Sequence, residues 1–426
     1  MKKSLIYFLG IFCLLSLTRC NKTVNGNNEL PVINFAEAFK NPSELTLSLL
    51  GSKITYIPLE LTDSSLISGM VDGMIVTDKY ITISNAWFSG DPSCMLFDRT
   101  TGKYLNTLGH KGQDPEAYSS TNSTPVFDPD NETFIFQGNS DKLLVFEPND
   151  VFKEYIDLPF PARNVSSFVI SSTDLVLKEG ISMNPNYQNL FRINNKGEIL
   201  DSLSLSDRNK EEITTDDISN MTVLRNSVGT LPGYTLIREL KNGKFDLVFD
   251  KFRWLWNAEK EVHFFEAFKD SIYNYTNNKL QPIYAIETGC SKENLDNLDF
   301  LKKSFPLFRT FFETSNSIVF VGNYGLMSGE YFGGIYNKKT NETIAGKLVK
   351  ITESSAPSAF VNDIDRFCPV MISCQTEDGN FAGLLTVDHI KSWMDENPDY
   401  KFPEEISWIK DLPEDANPLV VIVSKD

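Results

Sequence analysis

The stretch CMLFDRTTGKYLNTLGHKGQDPEAY, Cys94–Tyr118, decides the architecture. Cys94 to Phe97 is an apolar strand, and Asp98 to Lys103 is a polar turn holding Asp, Thr and Gly. A second strand runs from Lys103 to Leu108, and a loop bounded by Gly109 and Gly112 follows. Asp and Gly suit a hairpin turn because one bonds back to the backbone and the other tolerates positive φ.

The same unit recurs. An apolar strand ends in an aromatic or β-branched residue at Phe97, Phe146, Ile193, Tyr275, Tyr336 and Val387, and all but the last lead into a turn of Asp, Asn, Gly or Lys. The six anchors lie 49, 47, 82, 61 and 51 residues apart. A repeat near that length holds about four short strands, the content of one propeller blade. A pair of β-sandwiches would need fewer and less regular hairpins, and a β-helix a period nearer 20 to 30 residues. The expectation is an all-β, six-bladed β-propeller with a few short helical insertions.

Length and composition suit one large repeat domain or two ordinary ones. The 426 residues are 41 % hydrophobic and 12 % aromatic, with 31 Phe, which is ample for a buried core. A net charge of -17 argues against nucleic acid, whose phosphates need clustered Lys and Arg. Residues 1–20 read as a lipoprotein-type signal peptide: Lys2 and Lys3, an apolar run from Ser4 to Leu17, then Leu17-Thr-Arg-Cys20 with Cys20 as the lipidation site. Residues 21–30 are a flexible polar tether, leaving 31–426 for the propeller. The protein is expected in the cell envelope, lipid-anchored to the outer membrane on its periplasmic side, and monomeric. Cys94, Cys290, Cys368 and Cys374 are too few for a disulfide framework and read as free thiols.

Along the chain, Val71–Thr77, Tyr80–Ser84, Cys94–Phe97 and Lys103–Leu108 form the first blade. The second runs from Thr124 to Asp157, with Asp128–Glu132 turning its first hairpin, and the third from Ser167 to Leu205. Ser206–Met221, acidic and helix-compatible, reads as an insertion, and blade four resumes at Phe245. Ser291–Ser304 is a predicted amphipathic helix with Leu295, Leu298 and Leu301 on one face. A second helical segment, Asp388–Asn397, replaces the turn of the last blade. Ser52–Glu60 precedes the first blade without a local partner. An open propeller exposes sheet edges, so this strand is expected to join the C-terminal Pro418–Ser424 and close the ring.

Together YIPLE ending at Glu60, the loop through Tyr118, DSIYNYTNNKLQPIY (Asp270–Tyr284) and NPLVVIV from Asn417 resemble the exported six-bladed β-propeller lipoproteins, related in fold to NHL and TolB-like propellers. Gly109, Gly112, Pro115 and Tyr118 match that family's loop, while Asp114, Glu116 and Ala117 depart from it. The resemblance implies the fold and no particular reaction.

Chemistry is sparsely signalled. His110, His263 and His389 lack metal-ligand spacing, and neither a cofactor nor a metal is expected. Asp128–Glu132 lacks the Gly and final Glu of a calcium loop. No G-x-S-x-G elbow offers a nucleophile, and no motif singles out a catalytic pair among 57 carboxylates. Trp87, Phe88, Trp254 and Trp256 could stack on a sugar or pack between blades. The candidate ligand-binding residues are His110, Lys111, Gln113, Glu116 and Tyr118, in the one loop that departs from the repeat. The sequence therefore points to a non-catalytic module for a peptide, a glycan or an envelope protein partner. The alternative is a carbohydrate-active hydrolase or lyase using carboxylates at the channel.

Overall fold

The computed structural model describes residues 30–67, 71–85, 93–118, 124–162, 165–171, 174–179, 189–205, 213–225, 233–259, 261–327 and 329–425. The signal segment, Cys20, nearly all of the tether, Trp87 and Phe88 lie outside these residues.

Local turn chemistry builds the hairpins. The Asp98 carboxylate accepts from the amides of Thr100 and Thr101, and Gly102 closes the turn at φ +70°. Asn194 does the same for Lys196 and Glu198 around Gly197, and Asn337 for Lys339 and Thr340 before Asn341 at φ 58°. A short side chain that mimics the backbone, followed by a residue tolerant of left-handed geometry, reverses the chain at each place. Asp128 likewise accepts from the amides of Asp130 and Asn131, making Asp128–Glu132 a hairpin turn.

Among the described residues these hairpins assemble into antiparallel sheets of mostly four strands. The first holds Val71–Val76, Tyr80–Asn85, Cys94–Asp98 and Tyr104–Leu108, paired in that order. The second runs from Val126–Asp128 to Phe152–Asp157, and the third from Val165–Ser171 to Ile199–Ser204. A fourth, three-stranded sheet pairs Ile218–Arg225, Tyr234–Leu240 and Phe245–Asp250. The fifth runs from Leu255–Ala258 to Lys279–Ile286, with Val32–Ile33 added in parallel on its outer edge. The sixth runs from Pro306–Glu313 to Glu342–Lys347. In the seventh, Ile372–Gln375, Phe381–Leu385 and Leu419–Ser424 are followed by Lys53–Pro58 from the other end of the chain.

This last pairing places the expected closing strand on the C-terminal one, in register from Lys53 opposite Ser424 to Pro58 opposite Leu419. Pro58, which lacks a donor, ends the strand on the outer edge of the sheet. The amide of Glu60 donates to Gly102, tying the closing strand to the first sheet.

Apolar cores lie between sheets, as a propeller-like arrangement requires. Cys94, Leu96 and Leu108 pack on Phe134, Phe136 and Phe146 between the first and second sheets. Ile135 and Val145 meet Val165 and Leu177 between the second and third. Val176 and Leu190 meet Leu255 and Phe264, so the third sheet packs directly on the fifth. Trp256 and Phe265 meet Phe311, Phe312 and Phe381 share the next core, and Leu384 and Ile422 meet Met74 and Ile81 at the closure.

Three expectations need correction. Ser206–Met221 is not helical where described: Thr215–Asp217 is a single 3-10 turn, and β-branched Ile218, Thr222 and Val223 continue as a strand. Phe245–Asp250 does not open a blade but completes the extra three-stranded sheet, which the direct contact of third and fifth sheets leaves outside their succession. Ser291–Ser304 is two short helices, Lys292–Leu295 and Leu298–Lys303, because Asn297 caps the second through the amide of Phe300. The helix near the C-terminus is present as Val387–Glu396, capped by Thr386.

Candidate functional site

The first strands of six sheets converge on a cavity of about 660 Å³. Asp72 and Ile75 come from the first sheet, Phe127 from the second, and Ser167, Phe168 and Val169 from the third. The fifth contributes Leu255 and Asn257, the sixth Glu313, and the seventh Gln375. Such a volume suits a small organic ligand. The three residues entering the fifth sheet, Lys251, Phe252 and Arg253, also line it.

Charge is distributed along the cavity. Lys251 and Arg253 precede the strand Leu255–Ala258, and Asp72 lies at the start of Val71–Val76. Glu259 and Glu377 follow the ends of their strands, and Glu313 is the last residue of Pro306–Glu313. Burial pulls the Lys251 ammonium below its ordinary range, opposed by the fields of Asp250 and Asp72. Burial likewise lowers the Arg253 guanidinium. Lys251 and Glu259 both hold left-handed backbone, at φ 57° and 59°, which side-chain-bearing residues seldom adopt.

Glu313 is the most enclosed carboxylate of the wall, its side chain 1 % exposed. Oε2 accepts from Trp256 Nε1 at 2.9 Å and from His263 Nδ1 at 2.7 Å. Lys338 Nζ lies 2.7 Å from Oε1. Burial alone would raise its pKa, but the His263 and Lys338 contacts outweigh it and hold the carboxyl below its usual value. Glu313 is therefore an ionised structural acceptor and a poor proton donor. Its amide donates to Gln375 Oε1 at 3.1 Å, which turns the Gln375 amide nitrogen away as a donor. A second cavity of about 360 Å³ shares Glu259, Glu313 and Gln375 and adds Lys338 and Lys425.

The five loop residues lie elsewhere; none lines the central cavity. Tyr118 is 1 % exposed and stacks on Phe136 at 5.4 Å between the first and second sheets. His110, Lys111, Gln113 and Glu116 are exposed. His110 Nε2 is 2.8 Å from Asp114 Oδ2, and the amide of Gly109 donates to Asp150 at 2.6 Å. Asn139 holds the loop by donating to the Gly112 carbonyl at 2.7 Å. Trp254 and Trp256 are core residues between blades, 2 % and 9 % exposed, with their indole nitrogens on the Phe308 carbonyl and Glu313.

Sequence reasoning missed Lys251, Arg253, Glu313 and Gln375. Their nearest sequence signal was the aromatic run around Trp254 and Trp256, which flags the entry to the fifth sheet. The four described cysteines are free thiols: Cys94, Cys368 and Cys374 are buried and Cys290 partly so. Among the described residues no helix is long and apolar enough to cross a membrane.

A family profile described as a domain of unknown function (DUF4934) matches residues 30–424. No curated protein matches the chain. Among solved structures, a protein from Bacteroides fragilis described as exported is 17 % identical, covering 93 % of this chain and 99 % of its own, with a TM-score of 0.62. The two share a fold. A DUF4221 family member from Bacteroides vulgatus is 12 % identical over 88 % of this chain and 96 % of its own, with a TM-score of 0.42.

Proposed function

The chain belongs to the DUF4934 family, and from that premise we propose that it is an exported, lipid-anchored, six-bladed propeller that binds a ligand in its central cavity without transforming it. The observation that carries this reading is the 660 Å³ cavity walled by the inner strands of six sheets. A rigid ring with a mixed polar and apolar concavity is a binding scaffold. The count of six is supported by the direct packing of the third sheet on the fifth, with the three-stranded sheet outside the ring. The NHL and TolB-like kinship is an affinity of fold only.

Binding is favoured over hydrolysis because Glu313 is tied to Trp256, His263 and Lys338 and held ionised, so it does not serve as a general acid. The ligand is a glycan, a peptide or a segment of an envelope protein. The exposed loop residues His110, Lys111, Gln113 and Glu116, with Tyr118 fixing the loop from beneath, form a second contact surface for a larger partner.

Glycan and peptide arrays probed with the purified protein test the reading. Specific capture, weakened by Ser167→Phe in the cavity wall and without product formation, is the expected result; turnover of a captured ligand would refute it. We further propose that Cys20 carries a lipid anchor and that the protein sits on the periplasmic side of the outer membrane. Cys20→Ser should move it from the membrane to the soluble periplasmic fraction, and unchanged membrane fractionation would exclude a lipid anchor at that residue.

A further inference from the structure

Arg253 differs from the other charged groups of the cavity wall. Its only hydrogen bond among the described residues runs from one guanidinium nitrogen to the Ser373 carbonyl, at a long 3.4 Å. It forms no ion pair among these residues. Glu313, by contrast, is saturated by His263, Lys338 and Trp256. A guanidinium carries five N–H donors in a fork that matches a carboxylate, and four of the five are unspent here.

Placement strengthens the point. Arg253 enters from the fifth sheet, yet its guanidinium reaches Ser373 on the inner strand of the seventh, spanning the sixth between them. Two residues further along that strand, about 7 Å on, Gln375 presents its amide nitrogen as a second donor, since its oxygen is taken by Glu313. The left-handed backbone at Lys251 turns the chain immediately before Arg253, and a backbone held out of its ordinary range beside a cavity is a mark of a functional wall. The remaining wall offers hydroxyls and amides, among them Ser166 and Asn257. Asn257 donates to the Ile170 carbonyl at 2.5 Å, which leaves its oxygen as an acceptor for a ligand hydroxyl.

We propose that the cavity is a sugar-acid site, in which the fork of Arg253 receives a ligand carboxylate and the hydroxyl- and amide-bearing wall receives the ring hydroxyls. This rests on the reading of the cavity as the ligand site and names the ligand class. Of the carboxylates that would oppose such a ligand, Glu313 is neutralised by its partners and Glu377 accepts from the Asp78 amide, while Glu259 follows the end of the strand that Arg253 precedes. Asp72 shares its end of the cavity with Lys251, whose charge it favours. Carboxylate recognition by Arg makes uronate rather than neutral hexose the matching sugar.

The test is calorimetric titration of the whole protein with glucuronate and galacturonate and their di- and trisaccharides, against glucose, galactose and neutral oligosaccharides, and against dipeptides with a free carboxylate. Acidic sugars should bind at least tenfold more tightly than their neutral counterparts. Arg253→Gln should bring the ratio of acidic-sugar to neutral-sugar affinity to about one, with a cooperative melt of the variant showing that the fold is intact. Arg253→Lys should keep part of it, and the exposed Lys103→Gln all of it. Neutral sugars binding in the cavity as well as uronates, or a preference that survives Arg253→Gln, overturns the acidic assignment and leaves the cavity reading standing. Dipeptides binding in place of sugars overturns the sugar assignment. Failure of every probe to bind overturns both.

Discussion

Replacing Glu313 tests the packing of the fifth sheet on the sixth. In Glu313→Ala three donors lose their acceptor at once: the Trp256 indole, the His263 ring at Nδ1 and the Lys338 ammonium. Breaking a buried ionic cluster from one side costs about 3–5 kcal/mol, because the remaining groups stay buried and unpaired. Glu313→Gln retains a carbonyl acceptor but places an amide nitrogen against a donor, so it should cost about 1–3 kcal/mol. The pH dependence has a definite sign. The folded pKa lies below that of an ordinary glutamate, so the contribution is fully present above the ordinary value and is lost as the pH falls through the depressed folded pKa. Urea unfolding between pH 7 and pH 3 should show a constant gap between wild type and Glu313→Gln above about pH 5, narrowing in more acid solution. A gap that persists unchanged to pH 3, or an alanine variant as stable as wild type, would refute the assignment of Glu313 as an ionised interblade acceptor.

Other regions give equally direct outcomes. Deleting residues 52–60 strips the strand opposite Leu419–Ser424 and should abolish cooperative folding; a truncated protein that melts like the intact one would remove the closure argument. At Gly102, with φ +70°, an added Cβ would fall 1.9 Å from the Pro58 carbonyl oxygen, so Gly102→Ala should destabilise by well over the roughly 1 kcal/mol that left-handed backbone costs alanine. Gly243, at φ +83° with open space around it, should show only that smaller cost, and similar losses at both sites would contradict the packing of the closing strand. Tyr118→Ala should cost about 3–5 kcal/mol through lost core packing, whereas His110→Ala should lie within about 0.5 kcal/mol of wild type in thermal or urea unfolding. Burial pushes the thiols of Cys94 and Cys374 up to about 12, so of the four described cysteines Cys290 should be labelled first by a thiol reagent at pH 8, as read by peptide mass mapping.

Turn chemistry was legible in the sequence because it is local. Asp98 with Gly102 and Asn194 with Gly197 each lie within a few residues, so their spacing announces the hairpin. The closing strand was legible for a different reason: an alternating strand without a neighbour must find an edge. The extra sheet was not, since Phe245–Asp250 has the same apolar pattern as a blade strand and nothing local says which sheet it joins. The cavity was hidden for the same physical reason. Asp72, Ser167, Arg253, Glu313 and Gln375 are brought together only by ring closure, and a lone Arg or Gln in a strand-rich sequence carries no sign of facing a cavity. The conspicuous loop Gly109–Tyr118 attracted attention by its glycines, and its tyrosine is spent on the core between two sheets.

Hydrogen exchange with and without a ligand captured from the glycan and peptide panels tests the central claim most directly, because it locates the bound molecule on the ring. Protection should appear in Val165–Ser171, Leu255–Ala258 and Ile372–Gln375, inner strands from three sheets that all border the cavity. Protection confined to residues 109–118, with those three strands unchanged, would contradict the account.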